Sequence, residues 1–258
     1  LALNVKDQAL YVGIRSTFYR IATIAGQGLL IMLAGGLEIW SGNIKYAWSI
    51  TFFILAGLFL AFSLYHKYIL PAPGSDKSVV GQNNASSIME GFIETFASFF
   101  RKKQAGVAIL FMLFYRFPEA QLVKLINPFL LDPVEKGGLG LTTAEVGLVY
   151  GTIGIIGLTL GGIIGGICAA KGGLQKWLWP MAWSISLTCV TFVYLGYVQP
   201  QDLLTINICV FIEQFGYGFG FTAYMLYLIY YSDGEHKTAH YAICTAFMAL
   251  GMMLPGMA

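Results

Sequence analysis

The sequence predicts an all-α integral membrane protein built as a helix bundle. Only 11% of the 258 residues are charged and 57% are hydrophobic, whereas a soluble domain carries about 25% charged residues. Seven apolar segments approach the length of about 20 residues that a bilayer-crossing helix needs. The alternating pattern of transmembrane β-strands is absent from the sequence. This composition excludes a disordered chain and argues against a cytosolic enzyme.

The seven apolar segments define about seven transmembrane helices, separated by glycine-, proline- and charge-containing turns. The predicted spans are 17–37, 47–70, 104–130, 143–168, 177–198, 203–231 and 239–258. The net charge of +2 lacks the strongly basic footprint of nucleic-acid-binding proteins. The lipid bilayer is therefore the expected partner, and nucleic acid is not.

The distribution of lysine and arginine predicts the orientation of the spans. If the N-terminal segment is cytoplasmic, eleven basic residues face the cytoplasm and two, Lys45 and Lys136, face the opposite side. Such an excess is typical of cytoplasmic loops. The eleven are Lys6, Arg15, Arg20, Lys67, Lys77, Arg101, Lys102, Lys103, Lys171, Lys176 and Lys237.

The longest connection, residues 71–103, predicts a division between two helix bundles. It begins polar and then places Ile88, Phe92, Phe96 and Phe99 at helical spacing before the basic triplet 101–103. This pattern indicates an amphipathic helix at the cytoplasmic interface. We therefore expect an N-terminal part of two spans in residues 1–70, a cytoplasmic linker in residues 71–103, and a C-terminal bundle of five spans in residues 104–258.

Glycines in the fourth span predict close helix packing. Gly157, Gly161 and Gly165 repeat every four residues, and Gly216 and Gly220 do so in the sixth span. Small residues at this spacing let two helix backbones approach closely in a membrane. The pair could move as a unit or pack statically, and the sequence leaves both possibilities open. The sequence argues against a phosphate-binding loop, because no G-K-[ST] follows these glycines and no strand precedes them.

Ionisable residues inside the third span are the first candidates for a functional site. Arg116, Glu119, Lys124 and Asn127 fall within an arc of about 140° on an ideal helix. A charge at the bilayer centre costs about 2.5–3.5 kcal/mol, so this face is expected to line protein or water. Arg116 or Lys124 would receive a substrate carboxylate or hydroxyl, with Glu119 titrating. Alternatively, Lys124 and Asn127 extend towards the outer interface.

The sixth span carries a stripe of tyrosines headed by an acid. Glu213, Tyr217 and Tyr224 lie within about 80° of one another. Aromatic rings stack on sugar faces while hydroxyls and carboxylates take hydrogen bonds, so the stripe suits a sugar-like ligand. Gln27 and Gln214 are weaker candidates. The tyrosines nearer the span end fit an interfacial aromatic belt instead.

Catalytic and metal-binding patterns are not evident in the sequence. His236 and His240 lack a third ligand, and the four cysteines lie in apolar runs without metal spacing. Neither a Ser/His/Asp nor a Cys/His set can be assembled. We therefore expect no cofactor, no metal and no enzymatic activity.

Four segments resemble the AmpG-type muropeptide permeases of the major facilitator superfamily. Val5–Ala22 is similar to the segment entering their fifth helix, and Phe114–Asp132 to their seventh helix. Residues 161–173, GGIIGGICAAKGG, resemble the superfamily's loop between helices eight and nine. Lys237–Gly251 resembles the loop and eleventh helix of the same permeases.

The loop after the fourth span matches the superfamily's pattern, G-x-x-x-D-[RK]-x-G-[RK], at three positions. Gly166, Lys171 and Gly173 agree with it, and the resemblance implies that they belong to a gating loop. Ala170 stands where the pattern has an acid, and Leu174 where it has a basic residue.

The resemblance covers nearly the whole chain and implies helices five to eleven of twelve, as part of a longer polypeptide. It implies a monomeric, multi-pass protein of the bacterial inner membrane. The implied activity is proton-coupled uptake of anhydro-muropeptides for peptidoglycan recycling, with protons as co-substrate. From the apolar surroundings of the two acids we expect Glu119 or Glu213 to be the proton carrier. The implied mechanism is alternating access, with substrate between two bundles.

Three alternatives remain at the level of the sequence. The helix count alone suits a seven-helix receptor or channel. A carrier of a different sugar-like or anionic metabolite would use the same kind of site. A membrane-embedded transferase would need a catalytic set that the sequence does not supply.

Overall fold

The computed structural model describes residues 5–24, 30–70 and 85–254, and within these ranges the chain is helical, without a β-strand. This confirms the predicted all-α class. The α-helices are α1 Val5–Ile24, α2 Leu30–Ser41, α3 Ile44–Ile69, α4 Ala85–Phe100, α5 Ala105–Phe114, α6 Phe117–Leu131, α7 Thr143–Leu148, α8 Gly154–Gly172, α9 Leu174–Leu187, α10 Val190–Val198, α11 Leu203–Ser232 and α12 Lys237–Met253.

Five stretches of the described residues are long and apolar enough to cross a membrane. They are Ile44–Ile69, Ala105–Leu131, Glu145–Gly172, Leu174–Val198 and Leu203–Ser232, and they match five of the predicted spans. The last predicted span corresponds to α12. The first, 17–37, does not match one described helix, because α1 begins at Val5 and α2 at Leu30. A hydropathy pattern shows only the apolar part of a helix. It does not show the more polar turns with which α1 begins.

The chain forms two compact units. One consists of Tyr19–Glu90, and the other of Leu1–Phe18 together with Gly91–Ala258. In the smaller unit, α2 and α3 pack together, and the Asn43 side chain caps α3 by accepting a hydrogen bond from the Tyr46 amide at 3.2 Å. Most side chains of α3 are exposed, and most of these are apolar, as expected for a lipid-facing helix.

The core of the larger unit is the pair α8 and α11, which approach to backbone contact. A Cβ atom on Gly157 would lie 2.6 Å from the Phe211 carbonyl oxygen, and one on Gly161 would overlap the Phe215 carbonyl oxygen. The predicted glycine face of the fourth span is therefore a helix-packing surface. Gly220 instead faces α9, where its Cβ would lie 2.6 Å from the Met181 carbonyl oxygen.

Three of the predicted spans depart from a regular α-helix. α5 ends at Phe114 and α6 begins at Phe117, α9 and α10 are separated at residues 188–189, and the π-helical turn Val149–Ile153 joins α7 to α8. Pro118 sits in the first turn of α6, where its missing N–H breaks no intrahelical hydrogen bond. The interruptions place polar side chains at the centre of the larger unit.

The second half of the amphipathic helix α4 docks on the neighbouring ends of α11 and α12. The Phe99 side chain is fully buried, with ring centroids 5.7 Å from Tyr231 and 5.6 Å from His240. Directly after the helix, Lys102 Nζ donates hydrogen bonds of 2.7 Å to the carbonyl oxygens of Tyr231 and Asp233. Partial burial lowers the pKa of Lys102. The Lys102 ammonium thus caps the C-terminal end of α11.

Replacing Lys102 with methionine is expected to destabilise the larger unit by about 1–2 kcal/mol, because two carbonyl groups lose a charged donor. Thermal unfolding of the purified protein in detergent measures the change. Lys103→Met is the matched control, since Lys103 is exposed. An equal loss of stability in both variants would show that the cap contributes nothing specific.

Candidate functional site

A buried ion pair forms the centre of the candidate site. Arg116 Nη2 lies 2.9 Å from Glu119 Oε2, and Arg116 Nε donates to the same oxygen at 3.0 Å. Only 8% of Arg116 and 3% of Glu119 is exposed. Both charges therefore face the protein interior and not the lipid, as charges at membrane depth require.

Aromatic side chains of α11 complete the surroundings of Arg116. Its Nη2 donates a hydrogen bond of 2.8 Å to the Tyr217 hydroxyl. The guanidinium lies 4.9 Å from the ring centroid of Phe221 and 5.4 Å from that of Tyr217, within the range of cation–π attraction. Arg116 is thus held by one carboxylate, one hydroxyl and two ring faces.

The break between α5 and α6 explains the position of this pair. Arg116 is the residue just before α6, and Glu119 lies in the first turn of that helix. A carboxylate near a helix N-terminus is stabilised by the unpaired N–H groups there. The spacing of three residues lets the two side chains meet. Local sequence therefore determines the pair, and packing against α11 buries it.

A second polar cluster lies one helical turn away on α11. Gln214 Nε2 donates to Glu213 Oε2 at 2.8 Å and to the Tyr150 hydroxyl at 2.7 Å. Glu213 is 2% and Gln214 6% exposed. Tyr150 belongs to the π-helical turn before α8, so this cluster links α8 to α11.

The two clusters are adjacent. Glu213 and Tyr217 are four residues apart on α11 and therefore share a face. Glu213 thus lies one helical turn from the Tyr217 hydroxyl that accepts a hydrogen bond from Arg116. The structure thus brings together four of the predicted site residues: Arg116, Glu119, Glu213 and Tyr217. The structure therefore groups two carboxyl groups, a guanidinium and a phenol hydroxyl in one part of the larger unit.

Two other predicted site residues, Lys124 and Tyr224, lie outside both clusters. Lys124 is exposed on α6 and is not part of either cluster. Tyr224 is fully buried, and its hydroxyl donates to the Met112 carbonyl at 2.6 Å while its ring stacks on Tyr115 at 4.9 Å. Tyr224 therefore anchors α11 to α5. Gln27 lies outside the described residues.

The predicted gating loop is a tight connection between α8 and α9. Gly173 ends α8 with a φ of +76°, a conformation that favours glycine. Lys171 is exposed. A Cβ on Gly166 would lie 2.9 Å from the Ala9 carbonyl oxygen, so the end of α8 packs directly on α1.

Sequence reasoning missed Phe221 and Tyr150. Phe221 follows Tyr217 by four residues, so the stripe that predicted the tyrosines also contained this ring. Tyr150 gave no such signal, because its place at the cluster depends on the π-helical turn and on tertiary packing. Gln214, a weak candidate from the sequence, is the residue that joins Tyr150 to Glu213.

Comparison with known proteins identifies the family. The sequence profile described as Major Facilitator Superfamily matches residues 2–255. The chain belongs to the major facilitator superfamily. With its long apolar helices, it is a multi-pass membrane protein of that superfamily. The family assignment argues against the seven-helix receptor alternative.

Similar proteins within the superfamily confirm the AmpG-type resemblance. The chain is 28% identical over 230 residues to "Putative transporter AmpG 4" of Rickettsia felis, covering 86% of this chain and 52% of that protein. It is 27% identical over 165 residues to "Putative transporter AmpG 2" of Rickettsia prowazekii, covering 64% and 39%. It is 21% identical over 234 residues to the "Anhydromuropeptide permease" of Escherichia coli K12, covering 91% and 45%. The chain spans about half the length of the curated relatives it matches.

Proposed function

We propose that the protein containing this chain is a secondary active transporter of the bacterial inner membrane that takes up anhydro-muropeptides together with protons. The observation that carries the proposal is the buried pair Arg116–Glu119 beside Glu213 and Tyr217. Buried charges that are retained at membrane depth mark substrate and ion pathways. The names of the similar proteins support the substrate class.

Arg116 and the rings of α11 supply the substrate contacts. The anhydro-muropeptide consists of two amino sugars, with or without a peptide. Its sugar faces stack on Tyr217 and Phe221, and its carboxylate competes with Glu119 for the Arg116 guanidinium. Protonation of Glu119 weakens its hold on Arg116 and so favours substrate binding. Proton and substrate binding are coupled through this one guanidinium.

One proton per cycle supplies enough free energy for the uptake of a substrate that carries no net charge. Movement of one charge through about 150 mV releases roughly 3.5 kcal/mol, at about 2.3 kcal/mol per 100 mV. A hundredfold accumulation of substrate costs about 2.8 kcal/mol, at about 1.4 kcal/mol per factor of ten. Access alternates by movement of the bundle in residues 104–258 against the N-terminal bundle, joined by the linker 71–103. The transporter works as a monomer.

The proton-carrier role is tested by Glu119→Gln and Glu213→Gln in the full-length protein. Replacement of the carrier is expected to abolish gradient-driven uptake while substrate exchange across the membrane (counterflow) continues, because exchange needs no net proton movement. Glu90→Gln on the exposed surface of α4 is the control and keeps full uptake. Accumulation against a gradient by both variants would remove these two acids from the proton pathway.

The substrate class is tested by vesicle uptake of a labelled anhydro-disaccharide. We expect accumulation that collapses when the proton gradient is dissipated. Competition by unlabelled anhydro-muropeptide, and not by unrelated sugars or organic anions, would support the assignment. Efficient uptake of another sugar-like or anionic metabolite in place of the anhydro-disaccharide would favour the alternative carrier function.

A further inference from the structure

The π-helical turn Val149–Ile153 is the unusual backbone feature next to the second polar cluster. Such a turn adds one residue to a helix, and π-turns recur at functional sites. One extra residue rotates the preceding helix by about 100° relative to the following one. Tyr150 sits within this turn, and its hydroxyl reaches Gln214 Nε2 at 2.7 Å.

The same amide group also contacts Glu213. Gln214 Nε2 donates one N–H to Tyr150 and one to Glu213 Oε2, at 2.8 Å. Gln214 is 6% exposed, and its side chain packs on Gly154, where a Cβ would lie 3.3 Å from Gln214 Cγ. Tyr150 and Gly154 thus fix the orientation of the Gln214 amide between α8 and α11.

We propose that Tyr150 and Gln214 are positioning residues that orient a hydrogen-bond donor onto Glu213 and thereby set the pH at which this carboxyl group exchanges its proton during transport. The inference rests on the proposed proton-coupled function, with Glu213 as the proton carrier, and adds to it the residues that tune this acid. The charged groups of the adjacent cluster, Arg116 and Glu119, are kept in every variant. Tyr150 acts through Gln214, and Gln214 acts on Glu213 directly.

The direction in which the pH midpoint moves follows from the hydrogen bond that the Gln214 amide donates. An amide N–H aimed at a carboxylate stabilises its ionised form. When the Tyr150 hydroxyl is removed, the Gln214 amide loses its fixed orientation and donates less well to Glu213. The protonated form then becomes relatively more favourable, so the pH midpoint of uptake moves upwards. Removing the amide itself has the larger effect.

The test is the pH profile of gradient-driven uptake by the full-length protein in vesicles. We expect Tyr150→Phe to raise the midpoint by about 0.5 pH unit and Gln214→Leu by about 1 unit, given that a hydrogen bond of about 1.4 kcal/mol corresponds to one unit. The double variant is expected to match Gln214→Leu alone, because both changes act along one path. Tyr194→Phe, on the exposed surface of α10, is the matched control and leaves the midpoint in place.

A second readout separates this inference from the proposed function. The pH dependence of thermal unfolding, measured on the purified protein without substrate, is expected to change in Tyr150→Phe but not when Glu213→Gln is already present. This result supports the positioning role even if the anhydro-disaccharide proves to be the wrong substrate. An unchanged pH dependence in both Tyr150→Phe and Gln214→Leu, or a shift that persists with Glu213→Gln, overturns the inference.

Discussion

Replacing Arg116 with methionine is expected to destabilise the larger unit by about 3–5 kcal/mol, because it removes one partner of a buried ion pair. Glu119 is only 3% exposed and would lose the guanidinium that lies 2.9 Å away. Thermal unfolding in detergent should show a drop in the melting temperature of about 10 °C. Lys124→Met on the exposed side of the same helix is the control.

A double variant separates the charge effect from a packing effect. Arg116→Met combined with Glu119→Gln leaves no uncompensated charge at this pair, so it is expected to recover most of the lost stability. It is still expected to lack coupled uptake, since both proposed binding groups are gone. A double variant as unstable as Arg116→Met alone would show that Arg116 stabilises the fold through its cation–π and van der Waals contacts instead.

The pair itself could be predicted from the sequence, whereas the wider charged face could not. Arg116 and Glu119 are three residues apart, and such local spacing survives the break between α5 and α6. Lys124 lies at the opposite end of the predicted arc from Glu119, about 140° away around the helix. In the structure α6 buries a narrow stripe of Glu119, Ala120, Ile126 and Leu130, and Lys124 lies outside it. The substrate role of Lys124 remains a prediction without structural support from these contacts.

The site residues whose positions depend on helix irregularities could not be predicted from the sequence. Composition and apolar length predicted the class and most spans, because burial in lipid imposes a simple hydropathy rule. The π-helical turn adds one residue at the start of α8, so side chains before it point in a different direction from that of a regular α-helix. A hydropathy pattern does not show such a turn. Tyr150 therefore reaches Gln214 only because of the observed backbone. The break at Cys189 likewise became visible only in the structure.

The second prediction with a large expected effect on stability concerns the glycine face of α8. Gly161→Ala is expected to destabilise the protein by about 3 kcal/mol or more, through overpacking that no side-chain rotation can relieve. The added Cβ would overlap the Phe215 carbonyl oxygen and lie 2.9 Å from the Phe219 amide nitrogen. Backbone atoms of α11 move only if the two helices separate. Separation would also displace Glu213 and Gln214, so coupled uptake is expected to fall along with stability.

Gly147→Ala is the matched control for this prediction. Gly147 belongs to α7 in the same predicted span, and apart from its own helix backbone and its chain neighbours its Cβ would meet no atom of the described residues within 4 Å. An alanine there gains up to about 1 kcal/mol of helix propensity, so the melting temperature should stay constant or rise, while that of Gly161→Ala falls. Gly218→Ala, which would meet the Leu158 carbonyl from the other helix, should resemble Gly161→Ala. Combining the two should cost less than the sum, because one separation relieves both overlaps. Equal melting temperatures for Gly161→Ala and Gly147→Ala would contradict a close α8–α11 contact.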